Sequence, residues 1–235
     1  MSQLALFQHE FTKKFLRSYM TKKDLYNCLR DLRNDLRIEY ESPLCSFASI
    51  IGDYITVEAR KFKNNKLCGI INKAMAPDIS YVVINSNNPR EIRVFSLLHE
   101  LMHWFFHSPR QRYCNVMGGG TYTFEDYQAN EGAAELLMHY RHFILLVSPT
   151  VAKKNLCLND IVELRKYAAE LFGVTEGMVY YRLESLKYEI YQYINGVDID
   201  ALELLSKKQQ LARGIKVSSL NDTEKILRNS LVKYA

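Results

Sequence analysis

The stretch REIRVFSLLHELMH, residues 90–103, decides the fold of this chain. Apolar side chains recur along it at helical spacing, at Ile92, Phe95, Leu98 and Met102. Pro89 precedes the stretch and Pro109 follows it, and prolines are typical of helix boundaries. The pattern predicts a helix of about five turns over residues 90–107.

The motif HELMH, residues 99–103, places three chemically active side chains on this helix. His99 and His103 are four residues apart, or roughly 40° around a helix, so both imidazoles can reach one metal ion. Glu100 flanks such an ion, where its carboxylate can take a proton from an attacking water and pass it to a leaving amine. The motif therefore predicts a zinc site with Glu100 as the catalytic base.

A catalytic zinc ion also needs a third protein ligand and one open position. We expect the ligand from the next long helix, predicted over residues 123–147 and stopped by Pro149. Its acidic candidates are Glu125, Asp126, Glu131 and Glu135. Asp126 and Asn130 share one face of that helix, and Asn130 is placed to hydrogen-bond a ligating imidazole. The small side chains at residues 132–134 would let this helix approach the first one closely.

Other polar side chains could stabilise an oxyanion beside the metal. The candidates are His107, Tyr122, His139 and His142. His107 continues the i, i+4 series from His103, which places it on the same face of the helix. Each of these side chains is also compatible with a position at the rim or on the surface.

The residues before the motif predict two helices and then a small sheet. Residues 1–40 have apolar positions at helical spacing, with a junction near Met20 and Thr21 as a helix N-cap. Residues 54–60, 66–72 and 80–85 are short, rich in Ile, Val and Tyr, and separated by polar turns. We expect these three segments to form an antiparallel meander.

The residues after the motif helices predict a helical C-terminal region. Turns are expected at Gly173, at Asn195 and Gly196, and at Gly214. Residues 161–187 have the spacing of a helix-turn-helix, with Thr175 as the N-cap of its second helix. The sequence therefore predicts an α+β protein with two domains, residues 1–150 and residues 151–235.

Composition excludes several classes of protein. The 235 residues are 48% apolar and 24% charged, with only 10 Gly and 5 Pro, which excludes disordered, collagen-like and low-complexity chains.

The N-terminus has no signal-peptide core, and the longest apolar run, residues 143–147, is too short to span a bilayer. Five scattered cysteines without a Cys-x-x-Cys pair are typical of free thiols. A net charge of +5 favours nucleic-acid binding only weakly. We expect a cytoplasmic protein that does not bind membranes.

Three stretches resemble the ImmA/IrrE metallopeptidases, a minimal branch of the gluzincins. They are SYVVIN at residues 80–85, REIRVFSLLHELMH at residues 90–103 and DYQANEGAAELLM at residues 126–138. The resemblance as a whole covers roughly residues 51–186, and these three stretches carry it. The chain departs from the family pattern at Asp126, where the family has Glu, and at His139, where it has Pro.

The resemblance implies a minimal zincin core, namely a small antiparallel sheet and two zinc-site helices. Carried over residue by residue, His99 and His103 match the zinc ligands, Glu100 the general base and Asp126 the third ligand, while Glu125 and Glu131 stay open as alternatives. The implied function is a zinc-dependent metalloendopeptidase that cleaves a helix-turn-helix repressor and so derepresses phage, mobile-element or stress genes. The alternative is a DNA-binding or partner-binding regulator, a pseudo-peptidase with a non-catalytic zinc site.

Overall fold

A computed structural model of the chain describes residues 20–36, 55–64, 67–72, 81–107, 111–114 and 123–232. The helix predicted before Met20, and Tyr122, lie outside these residues. The chain divides into two compact units, residues 1–20 with 24–136 and residues 21–23 with 137–235. The predicted domain boundary at residue 150 stays a prediction, since compactness alone does not test independent folding.

The described elements confirm an α+β protein in which helices predominate. In chain order they are α1 (Lys22–Leu36), β1 (Thr56–Arg60), β2 (Gly69–Asn72), β3 (Tyr81–Asn85), α2 (Arg90–Phe106), β4 (Gln111–Cys114), α3 (Phe124–Leu137), α4 (Tyr140–Val151), α5 (Leu158–Phe172), α6 (Glu176–Ser185), α7 (Lys187–Ile194), α8 (Lys207–Ala212) and α9 (Leu220–Val232). Helix α1 begins directly after Thr21, and α2 covers the predicted motif helix. None of the described helices combines the length and the apolar composition that a membrane crossing requires.

The sheet is mixed, and the predicted antiparallel meander is wrong. Its strand order is β1-β3-β2-β4, in which β1 pairs with β3 in parallel while β2 runs antiparallel to both β3 and β4. Apolar alternation identifies strands but not their neighbours. Strand β3 buries Val82 and Ile84 and lies between two partners, whereas all five residues of β1 are exposed and the strand forms an edge. Strand β4 was not predicted.

The single helix predicted over residues 123–147 is also wrong, because the chain forms two helices there. The break falls at His139, whose ψ of 128° is not helical, although its φ of −50° is. Helix α4 then continues through Pro149 to Val151. Proline lacks an N–H group and so removes one helical hydrogen bond, but only two residues of α4 follow it. The Ser148 Oγ atom of the same turn donates to the carbonyl of Ile144 at 2.6 Å.

The first unit packs α2 against the sheet and against α3 through closely fitting side chains. A Cβ atom at Gly132 of α3 would lie 2.7 Å from Sδ of Met102 and 3.7 Å from Cδ1 of Leu29. Met102 is fully buried and cannot swing into solvent. Gly132 therefore lets the Met102 side chain pack directly on the α3 backbone, as the small residues at 132–134 predicted.

We expect Gly132→Ala to destabilise the protein by about 1–2 kcal/mol, because the clash with Met102 outweighs the gain in helix propensity. The matched control is Gly177→Ala in α6, where the added Cβ would meet only Thr175 Oγ1 at 3.7 Å. This second change is expected to raise stability by up to about 1 kcal/mol. Urea denaturation followed by far-ultraviolet circular dichroism measures both. Equal stabilisation by the two changes would contradict a close contact at Gly132.

The second unit contains the predicted pair of helices around Gly173. Gly173 has a φ of 63° and ends α5 in the left-handed conformation that glycine adopts without strain. Thr175 is the N-cap of α6, since its side chain accepts a hydrogen bond from the Met178 amide. Gly196 and Gly214 also have positive φ values, at the other two predicted turns. These local predictions are confirmed.

A buried ion pair lies in the second unit. Lys22 Nζ is 2.9 Å from Glu189 Oε1 and donates to the carbonyl of Ser185 at 2.6 Å. Glu189 Oε1 also accepts a hydrogen bond from the Leu205 amide at 3.1 Å. Burial raises the pKa of the Glu189 carboxyl above its usual range, and the Lys22 cation opposes that shift. The pair thus ties Lys22 to two segments that are distant in sequence.

Candidate metal centre

The two motif histidines converge on one point beside α2. His99 and His103 lie on the same face of the helix, and their Nε2 atoms are 3.0 Å apart. Each side chain is only 3% exposed. Both imidazoles therefore direct a ring nitrogen to the same small volume, which is largely screened from solvent.

Asp126 brings a carboxylate oxygen to the same place from the first turn of α3. Its Oδ1 atom is 3.5 Å from His103 Nε2, while its Oδ2 atom accepts hydrogen bonds from the Thr123 amide and hydroxyl at 2.8 and 2.7 Å. The ligand atoms of His99, His103 and Asp126 all lie within 4.8 Å of one another. Within the described part of the chain, no other group of three His, Cys, Asp or Glu side chains meets this condition.

Asn130 orients the first of the two histidines. Its Oδ1 atom is 2.8 Å from Nδ1 of His99. An amide oxygen can only accept, so the His99 proton lies on Nδ1 and the lone pair of Nε2 faces the cluster. Asn130 thus occupies the place that the shared face with Asp126 predicts for it.

The two alternative third ligands, Glu125 and Glu131, do not join the cluster. Glu131 is buried and accepts a hydrogen bond from the Tyr26 hydroxyl, so it links α3 to α1. Glu125 is half-buried and lies one residue before Asp126 on the helix. Of the acids considered from the sequence, Asp126 is the one that the fold brings to the histidines.

His107 contacts the cluster in a way that the sequence did not predict. Its Nδ1 atom is 2.8 Å from Nδ1 of His103, and its Nε2 atom is 3.0 Å from Oε1 of Gln128. Gln128 was missed altogether, because a residue two positions after Asp126 does not share its helical face. His139 and His142 lie in the second unit, with ring centroids 5.3 Å apart.

Glu100 is fully buried beside a glycine of the sheet. A Cβ atom at Gly69 of β2 would lie 3.0 Å from Glu100 Oε1 and 3.2 Å from its Cγ. Any larger residue at position 69 would press on the Glu100 side chain. An isolated glycine inside a strand pattern is the signal that could have found this close approach.

The donor set suits zinc. Zinc prefers imidazole nitrogen and carboxylate oxygen at about 2.0–2.2 Å, so tetrahedral ligand atoms lie about 3.3 Å from each other. The separations of 3.0 Å between the two Nε2 atoms and 3.5 Å between His103 Nε2 and Asp126 Oδ1 bracket that value. Asp126 is 30% exposed, so the cluster has one side toward solvent.

Comparison with protein families agrees with this geometry. A family model of the M78 peptidases, described as the IrrE N-terminal-like domain, matches residues 55–184, more than half of the chain. The chain belongs to the M78 peptidase family. The resemblance to ImmA/IrrE metallopeptidases is therefore confirmed, and membership supports a metallopeptidase-type function with a metal cofactor and a protein substrate. A search of curated proteins found no match.

Proposed function

We propose that the chain is a zinc-dependent metalloendopeptidase that hydrolyses a peptide bond in a protein substrate. One observation carries the proposal, namely that the ligand atoms of His99, His103 and Asp126 lie within 4.8 Å of one another on helices that also hold Glu100. Two imidazoles and a carboxylate, with one side toward solvent, are the ligand set of a catalytic zinc site. Family membership supports the same class of reaction.

His99, His103 and Asp126 would hold the ion in this proposal. Zinc, when bound, supplies a Lewis acid that makes water more acidic and polarises the scissile carbonyl. The Glu100 carboxylate takes the proton of the attacking water and delivers it to the leaving amine. Gly69 keeps room for that carboxylate beside the sheet. Asn130 holds His99 in the tautomer that carries its proton on Nδ1 and its lone pair on Nε2.

The proposed substrate is a helix-turn-helix repressor, and cleavage would derepress phage, mobile-element or stress genes. This choice rests on the resemblance to the ImmA/IrrE metallopeptidases and not on the geometry of the site. A repressor acts where DNA is transcribed, so the proposed location is the cytoplasm.

Zinc content is expected to depend on the three proposed ligands. Elemental analysis of wild-type protein, purified without chelators and supplied with zinc, should find about one ion per chain. His99→Ala, His103→Ala and Asp126→Ala should each lose most of it, because two remaining ligands bind zinc weakly.

The matched controls for zinc content are Glu125→Ala and Glu131→Ala on the same helix as Asp126. Both should keep the ion, although Glu131→Ala removes the hydrogen bond from Tyr26 and is expected to lower stability. If zinc persists in Asp126→Ala but disappears in Glu125→Ala, the third ligand is Glu125 and not Asp126. A wild-type protein without zinc would overturn the proposal.

A further inference from the structure

A chain of hydrogen-bonded side chains leads away from the second histidine of the cluster. Starting from His103, Nδ1 contacts Nδ1 of His107 at 2.8 Å, and Nε2 of His107 contacts Oε1 of Gln128 at 3.0 Å. Nε2 of Gln128 donates to the carbonyl of Met20 at 3.4 Å. The side chains of His103, His107 and Gln128 are each at least 95% buried.

The direction of each hydrogen bond follows from its last member. The carbonyl of Met20 can only accept, so the Gln128 amide turns its nitrogen toward Met20 and its oxygen toward His107. The amide oxygen in turn accepts from His107, which places the His107 proton on Nε2 and leaves a lone pair on Nδ1. That lone pair accepts from Nδ1–H of His103. The lone pair of His103 Nε2 then faces Nε2 of His99 at 3.0 Å.

We propose that His107 and Gln128 are positioning residues that hold His103 in its metal-binding tautomer. The inference rests on the proposed zinc site and extends it by two residues. His103 would then have the same support that Asn130 gives His99, but through an imidazole and a distant amide. Without His107, the proton of His103 can move to Nε2, where it occupies the nitrogen that should bind the ion.

The test compares two substitutions at one position. His107→Leu removes the acceptor for His103. In His107→Asn, the amide oxygen of the new side chain can replace the imidazole Nδ1 as that acceptor. At constant pH, competition with a coloured zinc chelator should give an affinity 10–100-fold weaker for His107→Leu. His107→Asn should stay within about threefold of wild type.

Substitution of Gln128 tests the outer end of the chain. Gln128→Leu leaves His107 free to carry its proton on either nitrogen, so zinc affinity is expected to fall about tenfold. Urea denaturation of the metal-free variants checks for general loss of structure. An affinity loss that is equal in His107→Leu and His107→Asn, or that follows stability across all variants, would overturn the inference.

A metal-free measurement separates this inference from the proposed function. Long-range proton–nitrogen NMR spectra of histidine side chains report which ring nitrogen carries the proton. The apo protein should show His103 protonated at Nδ1, and His107→Leu should shift the population toward Nε2. An unchanged tautomer in His107→Leu overturns the inference even if zinc binds. A wild-type protein that fails to bind zinc, yet shows the expected tautomers, overturns the proposed function alone.

Discussion

Replacing Glu100 by Gln is expected to slow peptide-bond hydrolysis about a thousandfold while zinc content stays unchanged. The amide has nearly the same shape as the carboxylate, so it fits the space beside Gly69. It cannot take the proton of an attacking water, however. Because the proposed ligands are other side chains, His99, His103 and Asp126, the substitution removes the base and leaves the metal site.

The measurement needs a cleavable protein and a matched variant. A purified helix-turn-helix repressor, the proposed class of substrate, is incubated with the wild-type protein and with each variant, and mass spectrometry follows the appearance of fragments. The control is Glu91→Gln in the first turn of α2, because Glu91 is half-buried and lies at the far end of the same helix. The Glu91→Gln protein should cleave at the wild-type rate. A Glu100→Gln protein that cleaves normally would assign the base to another residue. Loss of zinc in that variant would make Glu100 part of the metal site.

Local spacing was enough to predict that the two histidines of the candidate site converge. His99 and His103 are brought together by a single helix, so the four-residue interval defines their geometry before any tertiary contact forms. The placement of Asp126 required more, because it depends on how α3 packs. The side chain of Met102 fits against Gly132, and Thr123 holds one carboxylate oxygen of Asp126, so the other is left toward His103.

The outer parts of the site depend on contacts that sequence spacing does not encode. Gln128 reaches His107 across 21 residues, and Gly69 of strand β2 lies beside Glu100 of helix α2. The same limit explains the sheet. Strands β1 to β3 were located from apolar alternation, whereas β4 was not predicted, and the pairing of β3 with both β1 and β2 depends on tertiary packing that alternation does not encode.

The break between α3 and α4 shows how a single residue can hide a helix end. His139 adopts a φ of −50°, inside the range that proline imposes. The ImmA/IrrE pattern has Pro at this position, and a proline there would have predicted the helix boundary from the sequence. With His in its place the apolar spacing continues on both sides, and periodicity alone predicts one long helix.

Replacing Arg182 by Ala is expected to lower the free energy of unfolding by about 3 kcal/mol. The Arg182 side chain is only 1% exposed, and its Nε and Nη2 groups donate to the carbonyl of Met138 at 3.1 and 2.9 Å. The substitution leaves both a cavity and a buried carbonyl that has lost its charged donor. Urea denaturation followed by circular dichroism measures the loss. The control is Tyr181→Ala, because the Tyr181 side chain is 73% exposed. This substitution should change the free energy of unfolding by less than about 0.5 kcal/mol.

The Arg182→Ala variant also tests whether α6 binds DNA. Arg182 is the one basic residue of this helix, and its guanidinium is bound to a backbone carbonyl inside the second unit, where no phosphate can reach it. The exposed part of α6 then offers Glu176 and Tyr181 to a partner, which is a poor surface for a polyanion. We therefore expect α6 to contribute nothing to any salt-dependent affinity of the protein for duplex DNA. Measurable affinity that disappears in Arg182→Ala, without loss of stability, would instead make Arg182 a phosphate contact and favour the regulator over the peptidase.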